Sequence, residues 1–289
     1  MRALAEFVMR GRMQATLVVV AAAVLQPFFW LGAAAGSLVL LRRGTGDAIG
    51  ILAWALLPAL AWWYLGDPTV TLVMLGSAVL AQVLRSSMSW NRVMLASVVL
   101  GVFYVLLLST VSAGLVQGLA EAFGKVLPQV LSEAKLSADQ QAELQAGLVP
   151  AVTGLLAASL QVISLLCLML ARYWQAALYN PQGFGREFRA LRLAPAVAIA
   201  LLLGVLVVPL LGPQFAVVAP LCAVPLLFAG LALGHGLVAL KRLPGFWLVL
   251  LYGLALMLGN VICLVAVVDS LFDFRGRLVR RQGSTNGEG

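Results

Sequence analysis

The run Val93–Val111, VMLASVVLGVFYVLLLSTV, decides the fold of this chain because its 19 residues include no charged side chain. A helix of that length crosses the hydrocarbon core of a bilayer, which is about 30 Å thick. The run has no alternation of polar and apolar residues, which a membrane β-barrel strand requires. Ala196–Leu211 has the same character. In lipid only a helix satisfies the backbone of such runs, so the sequence predicts transmembrane helices.

Similar apolar runs recur along the 289 residues, with charged or turn residues between them. They lie at about 13–41, 48–65, 68–84, 93–113, 149–171, 194–211, 215–240 and 244–268. The composition is 62% apolar and 10% charged, against about half and about a quarter in a soluble domain. We therefore expect an all-α polytopic bundle of about 8–10 membrane helices, some short and Pro-broken. Residues 1–282 are predicted to form one membrane domain, and 283–289 a disordered tail.

The first run, 13–41, is interrupted by Pro27, so it forms either one long kinked helix or a hairpin of two short helices. Arginine pairs stand before and after it: Arg10 with Arg12, and Arg42 with Arg43. The positive-inside rule favours the hairpin, because a hairpin leaves both pairs in the cytoplasm. We expect this run to be an uncleaved membrane segment.

The charges between later runs predict the orientation. Alternation from a cytoplasmic N-terminus places Asp67 outside and most basic residues inside. The basic residues placed inside are Arg2, Arg10, Arg12, Arg42, Arg43, Arg85, Arg92, Arg172, Arg186, Arg189, Arg192, Lys241 and Arg242. The expected location is the plasma (inner) membrane.

The C-terminal tail conflicts with simple alternation, which would send its arginines outward. The tail arginines are Arg275, Arg277, Arg280 and Arg281. We expect a cytoplasmic C-terminus, reached through a second break at Pro220 or Pro225 that would export Lys241 and Arg242.

The long hydrophilic interruption at about 114–148 carries four acidic and two basic residues, so its net charge is −2. Its apolar residues recur at three- and four-residue spacing, which predicts an amphipathic helix at the membrane surface. Ser137 and Gln140 have the spacing of a capping box that starts a new helix. We expect an extracytoplasmic connector here.

Polar and aromatic groups within the runs are the candidates for ligand binding, because embedded polar groups are costly. They are Trp62, Trp63, His235 and Asn260. Each also has a structural interpretation. The tryptophans fit an interfacial aromatic belt, His235 fits packing between glycines, and Asn260 fits a hydrogen bond between helices.

Arg186, Arg189 and Arg192 recur every three residues with Phe188 between them, which places the charges along one flank of a helix. Such a flank binds lipid phosphates or docks a cytoplasmic partner. Orientation by the positive-inside rule explains the three arginines equally well.

The sequence lacks the motifs of common reactions. It has no Walker loop, no H-E-x-x-H and no G-x-S-x-G. Cys167, Cys222 and Cys263 lie within apolar runs and predict buried core residues, so we expect no metal and no cofactor. The net charge of +8 is explained by orientation, and no basic stripe with aromatics indicates nucleic acid. The chain is therefore not expected to be an enzyme.

Three stretches together resemble the YybS-like family of bacterial multi-pass membrane proteins. They are Gly183–Pro195 (GFGREFRALRLAP), Asp269–Arg275 (DSLFDFR) and the opening Pro27–Arg43. The usual Leu-Pro after the arginines is Leu193-Ala194-Pro195 here. The resemblance implies a plasma-membrane location and no established activity. The fold is also similar to the S-components of energy-coupling-factor vitamin transporters, although no residues match a vitamin site.

Two hypotheses about function follow. The first is a small-solute transport or solute-binding subunit, in which a bundle with broken helices and few internal charges encloses a small neutral solute. The alternative is a non-catalytic scaffold for envelope assembly that recruits a protein partner through its basic cytoplasmic loop. Membrane lipids are expected partners in both.

Overall fold

The computed structural model describes residues 1–134 and 137–285, and within these ranges the chain forms α-helices and short 3₁₀ turns but no strand, which confirms the all-α class. The helices are α1 (Arg2–Arg10), α2 (Arg12–Val24), α3 (Phe29–Arg43), α4 (Thr45–Tyr64), α5 (Thr69–Ser87), α6 (Trp90–Thr110), α7 (Ala113–Ala134), α8 (Ala138–Tyr179), α9 (Gly183–Ala190), α10 (Pro195–Leu206), α11 (Val218–Leu240), α12 (Phe246–Met257), α13 (Gly259–Phe272) and α14 (Phe274–Thr285).

Helices of membrane-spanning length and composition dominate the described part of the chain. Five are long and apolar enough to cross a bilayer, and the number is seven if each of two bent pairs, α9 with α10 and α12 with α13, is one span. The shorter apolar helix α2 adds to these. The chain is therefore an integral membrane protein with several short and broken helices, as its sequence predicts.

The first apolar run forms a hairpin. A 3₁₀ turn containing Pro27 separates α2 from α3, and the two helices pack against each other. At Gly32 a Cβ atom would lie 3.1 Å from the backbone oxygen of Val19, so the two backbones touch there. At the other end, Arg43 donates a 2.6 Å hydrogen bond to the carbonyl of Met9. Both predicted arginine pairs consequently lie at one end of the bundle.

Polar contacts hold the helix ends at this arginine-rich end, which we call the basic face. Arg85 Nη1 donates to the carbonyls of Leu40 and Leu41 at 2.9 and 3.0 Å. A side chain of α5 therefore supplies hydrogen bonds to carbonyl groups in the last turn of α3, which have no partner within that helix. Arg42 lies 4.1 Å from the ring centroid of Tyr179, at the end of α8. The opposite end contains Asp67, which accepts a hydrogen bond from Gln26 in the hairpin turn.

The predicted break at Pro220 or Pro225 is wrong. Helix α11 continues through Pro225, because neighbouring helices stabilise a proline inside a transmembrane helix. The break lies instead at Leu258, whose backbone is not helical (φ −133°, ψ 48°), and α12 and α13 meet there at 111°. The pair enters from the basic face and returns to it, so Lys241 lies beside Arg277 of the tail.

Buried hydrogen bonds join the central helices. Tyr104 of α6 donates to the carbonyl of Leu72 at 2.9 Å and lies 2.9 Å from the hydroxyl of Ser164. One turn away, Gln161 of α8 donates to the hydroxyl of Ser97 at 3.0 Å. Such contacts are expected where polar side chains are enclosed in a membrane bundle, and they fix α5, α6 and α8 against one another.

The connector and the tail are helical in the described residues. Ser137 and Gln140 form the predicted capping box at the start of α8. On α7, Val116 and Ala120 are buried, whereas Phe123 is exposed. Of the tail predicted to be disordered, residues 283–285 end α14, and residues 286–289 lie outside the described part.

Candidate functional site

The short helix α9 is anchored to the basic face by one of its flanks. The ring of Phe184 lies 6.1 Å from that of Trp90, and the ring of Phe188 lies 5.4 Å from that of His235. Glu187 forms an ion pair with Arg172 of α8, with Nε to Oε2 at 2.9 Å. Aromatic packing and a charge-assisted pair therefore fix the orientation of α9.

The other flank of α9 presents Arg186 and Arg189, which are both exposed. Neither guanidinium has a carboxylate partner among the residues whose side chains the structure describes. The sequence pattern, with Phe188 between the arginines, therefore corresponds to a helix that packs by its phenylalanines and leaves two cations available.

These arginines line a cleft of about 540 Å³ on the basic face, which we call the arginine cleft. Its lining residues are Arg186, Arg189, Ala190, Arg192, Gly236, Ala239, Leu240, Asp273 and Arg275. The volume is within the range of about 300–1,000 Å³ that is usual for small-molecule sites.

Arg192 and Arg275 are held firmly in the wall of the cleft. Arg192 pairs with Asp273 at 3.0 Å and donates to the carbonyl of Ser270 at 2.9 Å. Its Nε is buried without a hydrogen-bond partner in the structure. Arg275 pairs with the buried Asp269 at 2.9 Å and donates to the carbonyl of Leu191 at 3.0 Å. These bonds join the loop after α9 to the end of α13 and the start of α14.

The cleft has an excess of positive charge. Its four arginines exceed its two nearby carboxylates, Asp269 and Asp273, by two charges, which are those of Arg186 and Arg189. Guanidinium groups bind carboxylates and phosphates through paired hydrogen bonds. The arrangement is therefore suited to an anionic ligand.

The other predicted binding residues lie apart from one another. Trp62 donates a 3.1 Å hydrogen bond to the carbonyl of Ala23, which fixes α4 to α2, and Trp63 is half-buried against the core. Asn260 is exposed in the first turn of α13, next to the bend at Leu258. Since α4 packs on α2, α3 and α5 whereas α13 packs on α10, α11 and α12, the structure does not bring the tryptophans to Asn260.

His235 belongs to the neighbourhood of the arginine cleft. Its Nε2 lies 2.9 Å from the hydroxyl of Tyr252, and its ring packs on Phe188 of α9. The adjacent Gly236 lines the cleft. His235 therefore connects α9, α11 and the re-entrant helix α12 at the edge of the site.

The sequence patterns did not identify Asp273 and Arg275 as site residues. Both belong to the charged stretch Asp269–Arg275, which is far from Gly183–Pro195 in the sequence. The structure brings these two stretches together around the cleft.

Metal ligation has no support in the described part of the chain, where no group of three or more His, Cys, Asp or Glu side chains converges. The three cysteines are free and buried, as predicted.

The fold and the cleft define a class, an all-α integral membrane protein with a ligand-sized basic cleft where its helices end. No family model, curated protein or solved structure matches the chain.

Proposed function

We propose that this integral membrane protein is a non-catalytic ligand-binding subunit that holds a small anionic ligand in the arginine cleft. The observation that carries the proposal is the pair Arg186 and Arg189, exposed and without carboxylate partners among the described side chains, in a cleft of about 540 Å³. Unpaired guanidiniums in a cleft of that size favour the binding of an anion of matching size.

An anion in the arginine cleft differs in both charge and site from the neutral solute that the sequence predicted inside the bundle. Trp62 uses its indole N–H to join two helices, and Asn260 faces outward at a bend. An interior site built from these residues therefore has less support than the cleft.

The scaffold hypothesis is a second candidate, and the exposure of Arg186 and Arg189 favours it as well, because an acidic protein segment pairs with such a surface. A scaffold would use the surface arginines, whereas a small ligand would also contact Arg192 within the cleft.

We retain the YybS-like family and the plasma membrane as proposals. The positive-inside rule supports a cytoplasmic basic face, which would put both termini in the cytoplasm.

The test is a comparison of matched variants of the purified protein. Native mass spectrometry would show whether a small molecule is retained, and calorimetry would measure binding of small anions. We expect Arg186→Gln with Arg189→Gln to lose the retained molecule and to bind small anions much more weakly. Arg10→Gln with Arg92→Gln removes the same charge from exposed positions outside the cleft and should change neither.

Other outcomes would decide against the cleft. Retention of a neutral molecule that is lost in Trp62→Phe with Asn260→Ala would support the interior solute site. Purification with an acidic protein, released by the Arg186 and Arg189 variant but not by the matched control, would support the scaffold.

A further inference from the structure

We propose that the arginine cleft binds the phosphoryl group of an anionic glycerophospholipid. This inference rests on the proposed function and names the class of its ligand. Three features of the described residues support this inference: the level of the cleft in the membrane, the arrangement of its arginines, and a second cleft beside it.

The cleft lies at the level of the lipid headgroups, because it is formed where the spanning helices end. Gly236, Ala239 and Leu240 belong to the last turns of α11, whose candidate membrane span ends at Leu240. Asp273 directly follows α13, which returns to the same face. Guanidiniums at the ends of spanning helices lie where lipid phosphates lie, and basic pockets between such helices bind anionic headgroups.

The arrangement of the arginines suits a phosphodiester. Arg192 is fixed by Asp273 and Ser270, and its Nε remains a buried donor without a partner. Arg186 and Arg189 approach from one flank of α9, and no carboxylate in the described part of the chain pairs with either of them. Planar guanidiniums bind phosphate oxygens through paired N–H groups. A phosphodiester also keeps its negative charge at the membrane surface, so it neutralises part of the excess charge.

The neighbouring cleft favours a lipid over a free phosphate. It has a volume of about 370 Å³ and is lined by Leu237, Lys241, Phe274, Arg277 and Leu278. The two clefts flank the last turns of α11, since residues 236 and 240 line one and residues 237 and 241 line the other. An apolar surface with two further cations accommodates the glycerol and upper acyl region of a lipid, which a free phosphate lacks.

The experiment measures affinity by calorimetry in detergent for four probes: dihexanoyl phosphatidylglycerol, dihexanoyl phosphatidylcholine, glycerol 3-phosphate and succinate. We expect phosphatidylglycerol to bind most tightly. Replacement of Arg186 and Arg189 by Gln should weaken the binding of phosphatidylglycerol by about tenfold for each arginine. The matched Arg10→Gln and Arg92→Gln variant should bind normally. Unchanged thermal unfolding of both variants is expected, because all four arginines are exposed and none forms an ion pair with a described side chain.

Each outcome separates the inference from the function on which it rests. If glycerol 3-phosphate binds as tightly as phosphatidylglycerol, the ligand is a free phosphate and the lipid source is wrong. If only succinate binds and the arginine variant loses it, the anion site stands and the phosphoryl group is wrong. If the arginine variant binds phosphatidylglycerol like the wild type, the lipid lies elsewhere and the inference fails. If no anion binds the wild type, both proposals fail.

Discussion

Single residues set the distance between neighbouring helices at several positions, and Gly230 is the clearest example. A Cβ atom there would lie 2.6 Å from the backbone oxygen of Ile262, so α11 and α13 approach as closely as glycine allows. We expect Gly230→Ala to lower the free energy of unfolding by about 1–3 kcal/mol, because a backbone has to move. Thermal unfolding in detergent measures this. Gly50→Ala is the control, since nothing lies within 4 Å of its Cβ, and an equal loss there would contradict the explanation.

The hydroxyl group of Tyr104 joins α6 to α5 and α8. It is buried and joins the carbonyl of Leu72 to the hydroxyl of Ser164. Tyr104→Phe should destabilise the protein by about 1–2 kcal/mol, because it removes two buried hydrogen bonds without changing the packing of the ring. Tyr64→Phe, at a position that is 91% exposed, should have no effect on the unfolding midpoint.

At the level of helices, the re-entrant α12 depends on few contacts. Its residues are all at least partly exposed, and His235 with Tyr252 supplies a hydrogen bond that joins it to α11. Tyr252→Phe should therefore make the amides of α12 exchange about fivefold faster, for a loss of about 1 kcal/mol. Hydrogen exchange of α4 in the same sample is the internal reference. Equal acceleration in both helices would indicate general destabilisation instead.

The sequence predicted those helix boundaries that local chemistry determines. Pro27 between arginine pairs predicted the hairpin, and Ser137 with Gln140 predicted the start of α8. The second break was predicted at Pro220 or Pro225 in the run 215–240, whereas the structure has it at Leu258 in the last run. Hydropathy cannot distinguish Pro225, whose helix is supported by neighbours, from Leu258. The same limit applies to the cleft. Its arginines on α9 follow a local pattern, whereas the pairing of Arg192 with Asp273 depends on tertiary packing.

For the complete bundle, the structure revises the predicted topology. Lys241, which the sequence predicted to be exported, lies beside the tail on the basic face. We expect Lys241→Cys and Gln282→Cys to react with a membrane-impermeant maleimide only after cells are permeabilised, and Tyr64→Cys to react in intact cells. The native cysteines are buried and should contribute little background. Labelling of Lys241→Cys in intact cells would contradict this topology.

The hairpin of α2 and α3 has a further consequence for the surrounding lipid. Helix α3 is enclosed by its neighbours, whereas α2 exposes Met13 and Leu17 and has 13 residues, so it is about 20 Å long beside a hydrocarbon layer of about 30 Å. We expect the bilayer beside α2 to thin, and thinning has a free-energy cost that grows with the mismatch. Acyl chain length should therefore affect stability, with a higher unfolding temperature in nanodiscs of 14-carbon chains than of 18-carbon chains.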